Sequence, residues 1–357
     1  MLAHRTQNKN ESKTLIRSLL KTRATTYPRL CLALRNLILD EVSKDVQNDL
    51  LKLPQVVEAI KEKIVICSVD RKIAYDKVAG VDAGSQRVPL ASRWFAVIAA
   101  LVYVLPDAER YFTNPESIKL PYGFSSENFQ ETVSLRRETK LFETAASFLM
   151  NRESVDLVLV DGPLAFGNWW TNKGEKQDRL GLISSINLLL NVCAERGIAV
   201  AGVVKRATAR YLINYLGLRQ QTALSDAFVL LQTLKPGERT DVFSPREALR
   251  RTVRAAPFMD RIDYPIFSFY LRSSSSSLSP PIRVDVPKFM LKSVDAIASY
   301  CYATAVHEGI PLPIVKADEE VKVTKNFVDA IYAELIPRLE NRFGASSMAA
   351  GIWGAFQ

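Results

Sequence analysis

The segment D-L-V-L-V-D-G-P, residues 156 to 163, has the pattern of a buried β-strand that ends at an acidic side chain. Its central residues are all apolar, as in a strand covered on both faces, and Gly-Pro ends it. A second segment, V-A-G-V-D at residues 78 to 82, also ends in an aspartate and is followed by A-G-S. An aspartate at such a place often only starts a turn. Two of them, Asp82 and Asp161, predict acids at the carboxyl ends of neighbouring strands.

Strand and helix patterns extend outward from these two segments. We predict helices over 12–62, strands within 64–105, a loop over 106–126 and a helix over 127–150. After the strand at 156–161 we predict a helix at 175–196, a strand at 198–204, two helices within 206–234, a helix from Ser244, strands at 266–271 and 282–286, and helices at 290–307 and 314–338. This order predicts an α/β protein with a mixed sheet core flanked by helices, and it does not fit a doubly wound sheet.

Three regions follow from composition and pattern. Residues 1–62 are predicted to form a basic helical region, residues 63–340 the main domain, and residues 341–357 a mobile tail. Of the net charge of +9, the first 35 residues contribute +7, through eight basic residues and one acid. A basic arm of this kind indicates an anionic partner, most often nucleic acid, although a solvated helix face or a disordered leader explains it equally well.

Composition excludes several kinds of chemistry. The chain has only two histidines, His4 and His307, so a histidine-rich metal site and most Ser-His-Asp sites cannot form. No P-loop or dinucleotide-binding glycine motif occurs. The longest apolar run, residues 94–105, is too short to cross a bilayer, so no membrane association is expected. Four scattered cysteines indicate a reducing compartment, and we expect a cytoplasmic protein.

Two further acids complete a candidate metal site. Glu138 shares a helical stripe with apolar residues, and a buried carboxylate there needs a partner or a metal ion. Glu143 lies off that stripe and is the alternative if the helix is misplaced by a residue or so. Asp318 follows P-L-P-I-V-K-A and is read as an acid near a helix start, which the helix dipole alone would also favour. Together with Asp82 and Asp161, they resemble an RNase H-like site that binds Mg²⁺ or Mn²⁺.

Ordered motifs make the sequence similar to the NurA nuclease family. They are V-D-A-G-S (81–85), R-R-E (136–138), L-V-D-G-P-L (159–164), V-V-K-R (203–206), S-D-A-F (225–228), F-Y-L-R (269–272) and I-R-V-D-V-P (282–287). The similarity spans about residues 60 to 330. It implies an RNase H-like core and a Mn²⁺-dependent nuclease that acts on single-stranded DNA and on 5′ DNA ends. It also implies a homodimer, associated with the nucleoid, that works with the hexameric ATPase HerA in archaeal end resection.

One departure from the family pattern concerns the metal site. The family usually has Tyr-Pro and then Ala-His near the C-terminus, whereas this chain has Ile310-Pro311 and Ala317-Asp318. Asp318 therefore stands where a metal-binding histidine is expected. An aspartate is able to bind Mn²⁺ or Mg²⁺, so the chain is interpreted as an active nuclease. The alternatives are a weakened or inactive adaptor subunit of a motor ATPase and a related enzyme that acts on RNA or hybrids.

Other residues are candidates for contacts with DNA. Lys205 follows a buried strand and is a candidate for holding a phosphate, or else a surface lysine with a buried stem. Arg246, Arg250 and Arg254 recur every four residues, which suits either a phosphate backbone or a solvated face. Trp169 is a candidate for stacking on unpaired bases, or for packing in the core or a dimer interface. Asp226 is either an acid at a helix start or a residue behind the metal ligands.

Overall fold

The computed structural model describes residues 28–90, 93–120, 126–151, 155–167, 170 and 172–343. The chain divides into two compact units, residues 1–56 with 221–223, and residues 57–220 with 224–357. The basic arm ahead of residue 28 and the predicted tail from residue 344 lie outside the described residues. In the first unit, the described chain is mainly helix α1 (Pro28–Lys61), which continues into the second unit. Apolar side chains of α1, among them Leu34, Leu37 and Ile38, are exposed.

A mixed sheet forms the centre of the second unit. Its strands are β1 (Ile66–Ser68), β2 (Val78–Leu90), β3 (Arg93–Leu105), β4 (Glu109–Phe112), β5 (Glu116–Lys119), β6 (Leu157–Asp161), β7 (Ala199–Val204), β8 (Glu238–Thr240), β9 (Ile266–Leu271) and β10 (Ile282–Pro287). In the described residues they are ordered β1-β8-β9-β10-β7-β6-β2-β3-β4, with β5 also paired to β3. β6 is parallel to both β2 and β7, and the other pairs are antiparallel. The predicted α/β fold with an RNase H-like mixed sheet is confirmed.

Helices surround this sheet. They are α2 (Ser126–Asn151), α3 (Lys176–Arg196), α4 (Tyr211–Tyr215), α5 (Asp226–Leu231), α6 (Pro245–Val253), α7 (Val294–Ala303), α8 (Leu312–Val321) and α9 (Lys325–Phe343), with a small hairpin of β11 (Ala305–Val306) and β12 (Ile310–Pro311) ahead of α8. The predicted cap of α6 is confirmed, because the Ser244 hydroxyl accepts a hydrogen bond from the backbone N–H of Glu247. None of the described helices combines the length and apolar character that crossing a membrane requires.

The main core and the candidate acids share one face of the sheet. Side chains alternate along a strand, so every second residue points the same way. On β2, β6 and β7 the residues in the core are Val78, Leu157, Leu159, Ala199, Ala201 and Val203, which pack with Ile297 of α7 and Ile314 of α8. The same alternation assigns Asp82 and Asp161 to this face. Helix α2 covers the opposite face, where Phe129 and Val133 pack against Ala96 and Ile98.

Two predictions about secondary structure are wrong. The segment 106–126 is not all loop, because β4 and β5 pair with β3 there. These short edge strands are largely exposed and polar, so they lack the apolar alternation that marks a strand. The predicted helix at 314–338 is two helices, since α8 ends at Val321 and α9 begins at Lys325. The Thr324 hydroxyl accepts a hydrogen bond from the N–H of Phe327, as a residue that starts a new helix does.

Strand β2 also continues beyond its predicted end. It pairs with β6 only from Val78 to Val81 and runs on to Leu90 in a long hairpin with β3. Asp82 therefore lies inside a strand, opposite Leu101, and not at a strand end as predicted. It is nevertheless the first residue of β2 after the pairing with β6 stops. The side chain of Asp82 is thus placed beside the true end of β6.

Two glycines of β2 let α8 lie directly on the strand. A Cβ atom at Gly80 would come within 2.2 Å of the backbone of Pro313, and one at Gly84 within 2.5 Å of the carbonyl oxygen of Val321. Real side chains do not occur at such distances, so only glycine allows this contact. Because the start and the end of α8 are fixed over Gly80 and Gly84, the helix passes over Asp82.

Candidate metal centre

Three of the predicted acids meet in space. Carboxylate oxygens of Asp82, Asp161 and Asp318 lie within 4.8 Å of one another, and no other group of three potential ligands is this close among the residues described. Asp82 comes from β2, Asp161 from the end of β6 and Asp318 from α8. Asp82 is 8% exposed, and the other two are partly buried. The topology of the sheet therefore assembles an acidic cluster from residues far apart in the chain.

Lys205, the candidate for holding a phosphate, contacts this cluster. It directly follows β7, the neighbour of β6, and its side chain is 20% exposed. The ammonium nitrogen lies 2.7 Å from Asp161 Oδ2 and 3.6 Å from Asp318 Oδ1. The alternative of a solvated surface lysine is therefore wrong, because the charged end contacts two buried or half-buried carboxylates.

Asp318 occupies a different place in its helix from the predicted one. It lies in the last turn of α8 and not at the start. The helix dipole disfavours an acid there, so the dipole does not explain this residue. Its carboxylate contacts Lys322 Nζ at 2.8 Å in addition to Lys205. Asp318 is thus held beside the other two aspartates by two cations.

Glu138 lies beside the cluster, paired with the adjacent arginine. Its side chain is 7% exposed and forms an ion pair with the guanidinium of Arg137. A Cβ atom built on Gly162, the residue after Asp161, would be 3.6 Å from Glu138 Oε2. Glu138 therefore approaches the end of β6 from α2. Glu143, the alternative considered for this position, is exposed.

Burial and like charge shift the titration of the cluster. Burial, helped by the charge of Asp161, raises the pKa of Asp82 to about 8. Burial also raises the pKa of Asp161 against the effect of the Lys205 ammonium. Burial alone would raise the pKa of Asp318 as well. The hydrogen bond from Lys322 and the positive charge of Lys205 have the larger effect and lower this pKa. Burial alone would lower the pKa of the Lys205 ammonium, but the neighbouring carboxylates have the larger effect and raise it. The repulsion between crowded carboxylates of this kind is reduced when one of them is protonated or when a cation binds.

The donor set fits a hard divalent cation. All the ligand atoms on offer are carboxylate oxygens, which Mg²⁺ and Mn²⁺ prefer. Oxygens bound to one octahedral Mg²⁺ ion are about 4.2 Å apart when opposite and about 3.0 Å apart when adjacent. The oxygens of Asp82, Asp161 and Asp318 lie within 4.8 Å of one another, so side-chain movements of about 1 to 2 Å bring them to these spacings. Asp82, Asp161 and Asp318 are able to hold such an ion, and Glu138, which pairs with Arg137, lies near the end of β6.

A buried aspartate fixes the loop that follows Asp161. Asp285 of β10 is fully buried, and its Oδ2 atom accepts hydrogen bonds of 3.1 Å from the N–H groups of Leu164 and Ala165. The Ser268 hydroxyl and the Arg283 guanidinium donate to the same carboxylate, at 2.6 Å and at 2.9 to 3.1 Å. The backbone just beyond the metal ligand is thereby tied to the neighbouring strands.

The predicted arginine stripe is only partly formed. Arg246 and Arg250 both lie on α6, and both donate to Asp260 Oδ1, at 2.5 and 2.9 Å. Arg254 caps the end of the helix with a φ of 59°, so it leaves the stripe. The sequence pattern could not show that Asp260, ten residues after Arg250, pairs with two of the three arginines.

The remaining candidates differ in outcome. Trp169 lies outside the described residues. Its neighbour Trp170 is 6% exposed, and its ring centroid is 5.0 Å from that of Phe166, which is core packing. Asp226 is the buried first residue of α5 and accepts hydrogen bonds from the N–H groups of Leu212 and Ile213. These contacts place Asp226 at the start of α5, where its carboxylate binds the backbone N–H groups at the start of α4.

Sequence reasoning missed Arg137 as a member of the site. Its side chain is 42% exposed and contacts Glu138. The charge of Glu138, and then those of Asp82 and Asp161, raise the pKa of this arginine. The R-R-E motif shows two arginines next to Glu138 in the sequence. Only the orientation of α2 shows which of them faces the acids, since Arg136 instead contacts Glu116 and Asp178.

The mixed sheet flanked by helices, with carboxylates gathered from neighbouring strands, has the architecture of an RNase H-like α/β protein. The family model for the NurA domain matches residues 76–323. The chain therefore belongs to the NurA family. No curated protein sequence matches it.

Similar folds occur in solved structures. The NurA nuclease from Sulfolobus solfataricus superposes with a TM-score of 0.64 at 16% identity, over 87% of this chain and 98% of that one. A NurA structure with manganese gives 0.54 at 12% identity, over 86% and 100% of the two chains. A further NurA structure gives 0.53 at 13% identity, over 86% and 99%. At these identities the likeness concerns the fold.

Proposed function

We propose that this protein is a divalent-metal-dependent nuclease that hydrolyses phosphodiester bonds in DNA. The meeting of carboxylate oxygens from Asp82, Asp161 and Asp318 within 4.8 Å carries this proposal. A phosphodiester is itself anionic, so an acidic site is suited to it only when cations are present. Membership of the NurA family supports the same reaction.

Each residue has a separate task in the proposed site. Asp82, Asp161 and Asp318 hold the metal, and Glu138 completes its shell. A bound divalent ion supplies Lewis acidity that activates water and stabilises the leaving oxygen. The Lys205 ammonium, which already contacts Asp161 and Asp318, is placed to hold a phosphate oxygen beside the acids. Arg137 is half exposed and is placed to neutralise a second phosphate oxygen.

The finer details of the substrate and the metal follow the family resemblance. We propose single-stranded DNA and 5′ DNA ends as substrates, with Mn²⁺ as the preferred ion and Mg²⁺ as the alternative. The all-oxygen donor set is compatible with both ions. The similarity to the fold of a NurA solved with manganese supports the first choice.

Partners are proposed on the same basis. We propose a homodimer that works with a HerA-type hexameric ATPase in resection of DNA double-strand breaks, in the cytoplasm at the nucleoid. The exposed apolar side chains of α1, including Leu34, Leu37 and Ile38, support contact with a second copy, because surfaces of this kind usually pack on protein. Light scattering of the purified chain tests the dimer directly.

The proposed alternatives make different predictions. An inactive adaptor subunit would bind DNA with a steep dependence on salt and would not cut it in any metal. The position of Asp318 within the acidic cluster favours the active enzyme, since the residue that departs from the family pattern still offers a ligand. An enzyme specific for RNA or hybrids would be identified by comparing single-stranded DNA, duplex DNA and RNA.

Matched substitutions of acids test the proposed site. We expect Asp82→Asn and Asp161→Asn each to lower Mn²⁺-dependent cleavage of single-stranded DNA by more than about 100-fold, because even residues that only orient metal ligands contribute about 10- to 100-fold. Glu138→Gln should also lower the rate strongly. Glu143→Gln, on the exposed side of the same helix, should cut at the wild-type rate.

The measurement is the initial cleavage rate of purified, folded protein, with circular dichroism as the check on folding. Wild-type rates in both the Asp82 and the Asp161 variants would show that these acids are not the site. Equal losses in the Glu138 and Glu143 variants would remove the assignment of Glu138.

A further inference from the structure

A cavity of about 180 Å³ lies beside α3, outside the acidic cluster. Its charged lining consists of Lys176, Arg179 and Arg261, and none of its described lining residues is acidic. Its apolar lining consists of Leu180, Ile183, Pro257 and Phe258. The cavity is smaller than the roughly 300 Å³ of pockets that enclose a drug-sized ligand. Its size and lining suit a small anion that carries one flat apolar group.

The lining is encoded by helical spacing. Lys176, Arg179, Leu180 and Ile183 stand at positions i, i+3, i+4 and i+7 of α3, so they form one face of the helix. Two cations in the first turn are thus followed by two apolar side chains on the same face. The segment from Pro257 to Arg261 forms the opposing wall.

Hydrogen bonds hold the two walls together. The Asn187 amide of α3 donates to the carbonyl oxygen of Arg261 at 3.0 Å, and its Oδ1 accepts from the N–H of Asp263 at 3.0 Å. On the α3 wall itself, Arg179 Nη1 donates to the carbonyl oxygens of Lys173 and Gly174, both at 2.7 Å. The guanidinium of Arg179 is therefore oriented before any ligand arrives, which reduces the entropy lost on binding.

The acids closest in sequence to Arg261 are engaged elsewhere. Asp260 forms ion pairs with Arg246 and Arg250 of α6. The Asp263 carboxylate accepts hydrogen bonds from the side-chain amides of Asn187 and Asn191. The three cations of the cavity are thus not matched by carboxylates that line it. An unbalanced cationic site of this kind attracts phosphate.

The cavity is connected to the metal centre by packing. Helix α3 follows β6 and leads to the parallel strand β7, so α3 begins at the edge of the sheet where Asp161 lies. Phe258, which lines the cavity, packs on Phe166 with ring centroids 5.2 Å apart. Phe166 belongs to the segment that follows Asp161 and is two residues beyond Leu164, which Asp285 fixes. One wall of the cavity is therefore in packing contact with the segment that follows Asp161.

We propose that this cavity binds one nucleotide of a single DNA strand, several positions away from the bond that is cut. The cations hold the phosphate, and the exposed side chain of Leu180, backed by the buried Ile183 and Phe258, accepts the face of an unpaired base. A paired base has no free face, so the cavity favours single strands. This inference rests on the proposed function, because it assumes that DNA reaches the neighbouring acids.

Binding measured without metal tests the cavity separately from catalysis. We expect the double variant Lys176→Glu with Arg261→Glu to bind a fluorescent 20-mer of deoxythymidine about 10-fold more weakly in EDTA. The slope of log K against log salt should fall by about 0.7, since the loss of one phosphate contact on a single strand changes it by about that amount. Leu180→Ala should weaken binding at an unchanged slope, because it removes apolar contact and no charge.

The matched control is Lys288→Glu with Lys292→Glu. Both residues are exposed and follow the end of β10, at the opposite edge of the sheet. This control should bind as the wild type does, and all variants should keep the wild-type circular dichroism spectrum. Wild-type affinity and slope in the Lys176 and Arg261 double variant, or an equal loss in the control, would overturn the proposal. If the wild type does not cut DNA but the variants show the expected differences in binding, the proposed reaction is wrong and the proposed role of the cavity stands.

Discussion

Asp318 stands where the resemblance to the family leads us to expect a histidine, and its carboxylate lies with those of Asp82 and Asp161. The sequence predicts an acid here but puts it at a helix start, because the end of α8 at Val321 has no glycine or proline to mark it. Asp82 and Asp161 were predictable because each interrupts an apolar strand pattern.

Asp318→His should change the choice of metal more than the overall activity. Imidazole suits Mn²⁺ better than Mg²⁺, whereas a carboxylate accepts both. We expect the Mn²⁺-supported rate to stay within about 10-fold of wild type and the Mg²⁺-supported rate to fall further. Cleavage rates measured in each metal give the ratio. An unchanged ratio of the two rates would show that residue 318 does not contact the ion.

Other residues of the site could not be predicted individually. Arg137 and Arg136 are the same residue type side by side, and only the packing of α2 separates their partners. Asp285 acts through backbone N–H groups about 120 residues earlier in the chain. Such roles depend on contacts between distant elements, which no local pattern records.

Among elements, the contact of α8 with β2 decides whether the site forms. The sequence predicts the central strands well because β6 and β7 are buried along most of their length. It does not predict β4 and β5, whose polar edge positions carry little apolar signal. It also does not reveal that Gly80 and Gly84 bring α8 onto the strand. That close approach concerns segments more than 200 residues apart.

Gly80→Ala should separate α8 from β2. Its Cβ atom would fall 2.2 Å from the backbone of Pro313, which cannot rotate away. We expect a loss of about 1–3 kcal/mol in the free energy of unfolding, together with weaker Mn²⁺ binding, because Asp318 moves with the helix. Urea unfolding and a Mn²⁺ titration measure the two effects.

Gly181→Ala is the matched control. A Cβ atom there would lie 4.0 Å from the nearest side chain, Thr139, inside helix α3. Alanine is a better helix former than glycine, so stability should rise by about 0.5–1 kcal/mol with Mn²⁺ binding unchanged. Wild-type stability and metal binding in Gly80→Ala would contradict the account of how α8 is placed.

At the scale of the whole molecule, buried charge makes stability depend on pH. Asp226 is fully buried, with hydrogen bonds from two backbone N–H groups and from the Tyr270 hydroxyl. Burial raises its pKa from 3.8 to about 6. Between these two values the folded protein holds a proton that the unfolded chain has lost. Stability from this group is therefore greatest below about pH 4 and is lost as the pH rises to 6.

Asp226→Asn removes this titration. The difference in unfolding free energy, wild type minus variant, should fall by on the order of 2–3 kcal/mol between pH 4 and pH 7. Urea unfolding of both proteins at several pH values measures it, and the hydrogen bonds lost in the variant add only a constant offset. A difference that does not change with pH would show that Asp226 titrates normally.

The most direct measurement of the central claim is a crystal structure of the protein soaked in Mn²⁺, with anomalous scattering used to locate the ions. The account predicts a manganese peak ligated by oxygens of Asp82 and Asp161, with Asp318 in contact and Glu138 beside it. Crystals of Asp82→Asn treated in the same way should lose or weaken this peak. Manganese bound only elsewhere, or no peak at the three aspartates under conditions in which the protein cuts DNA, would contradict the account.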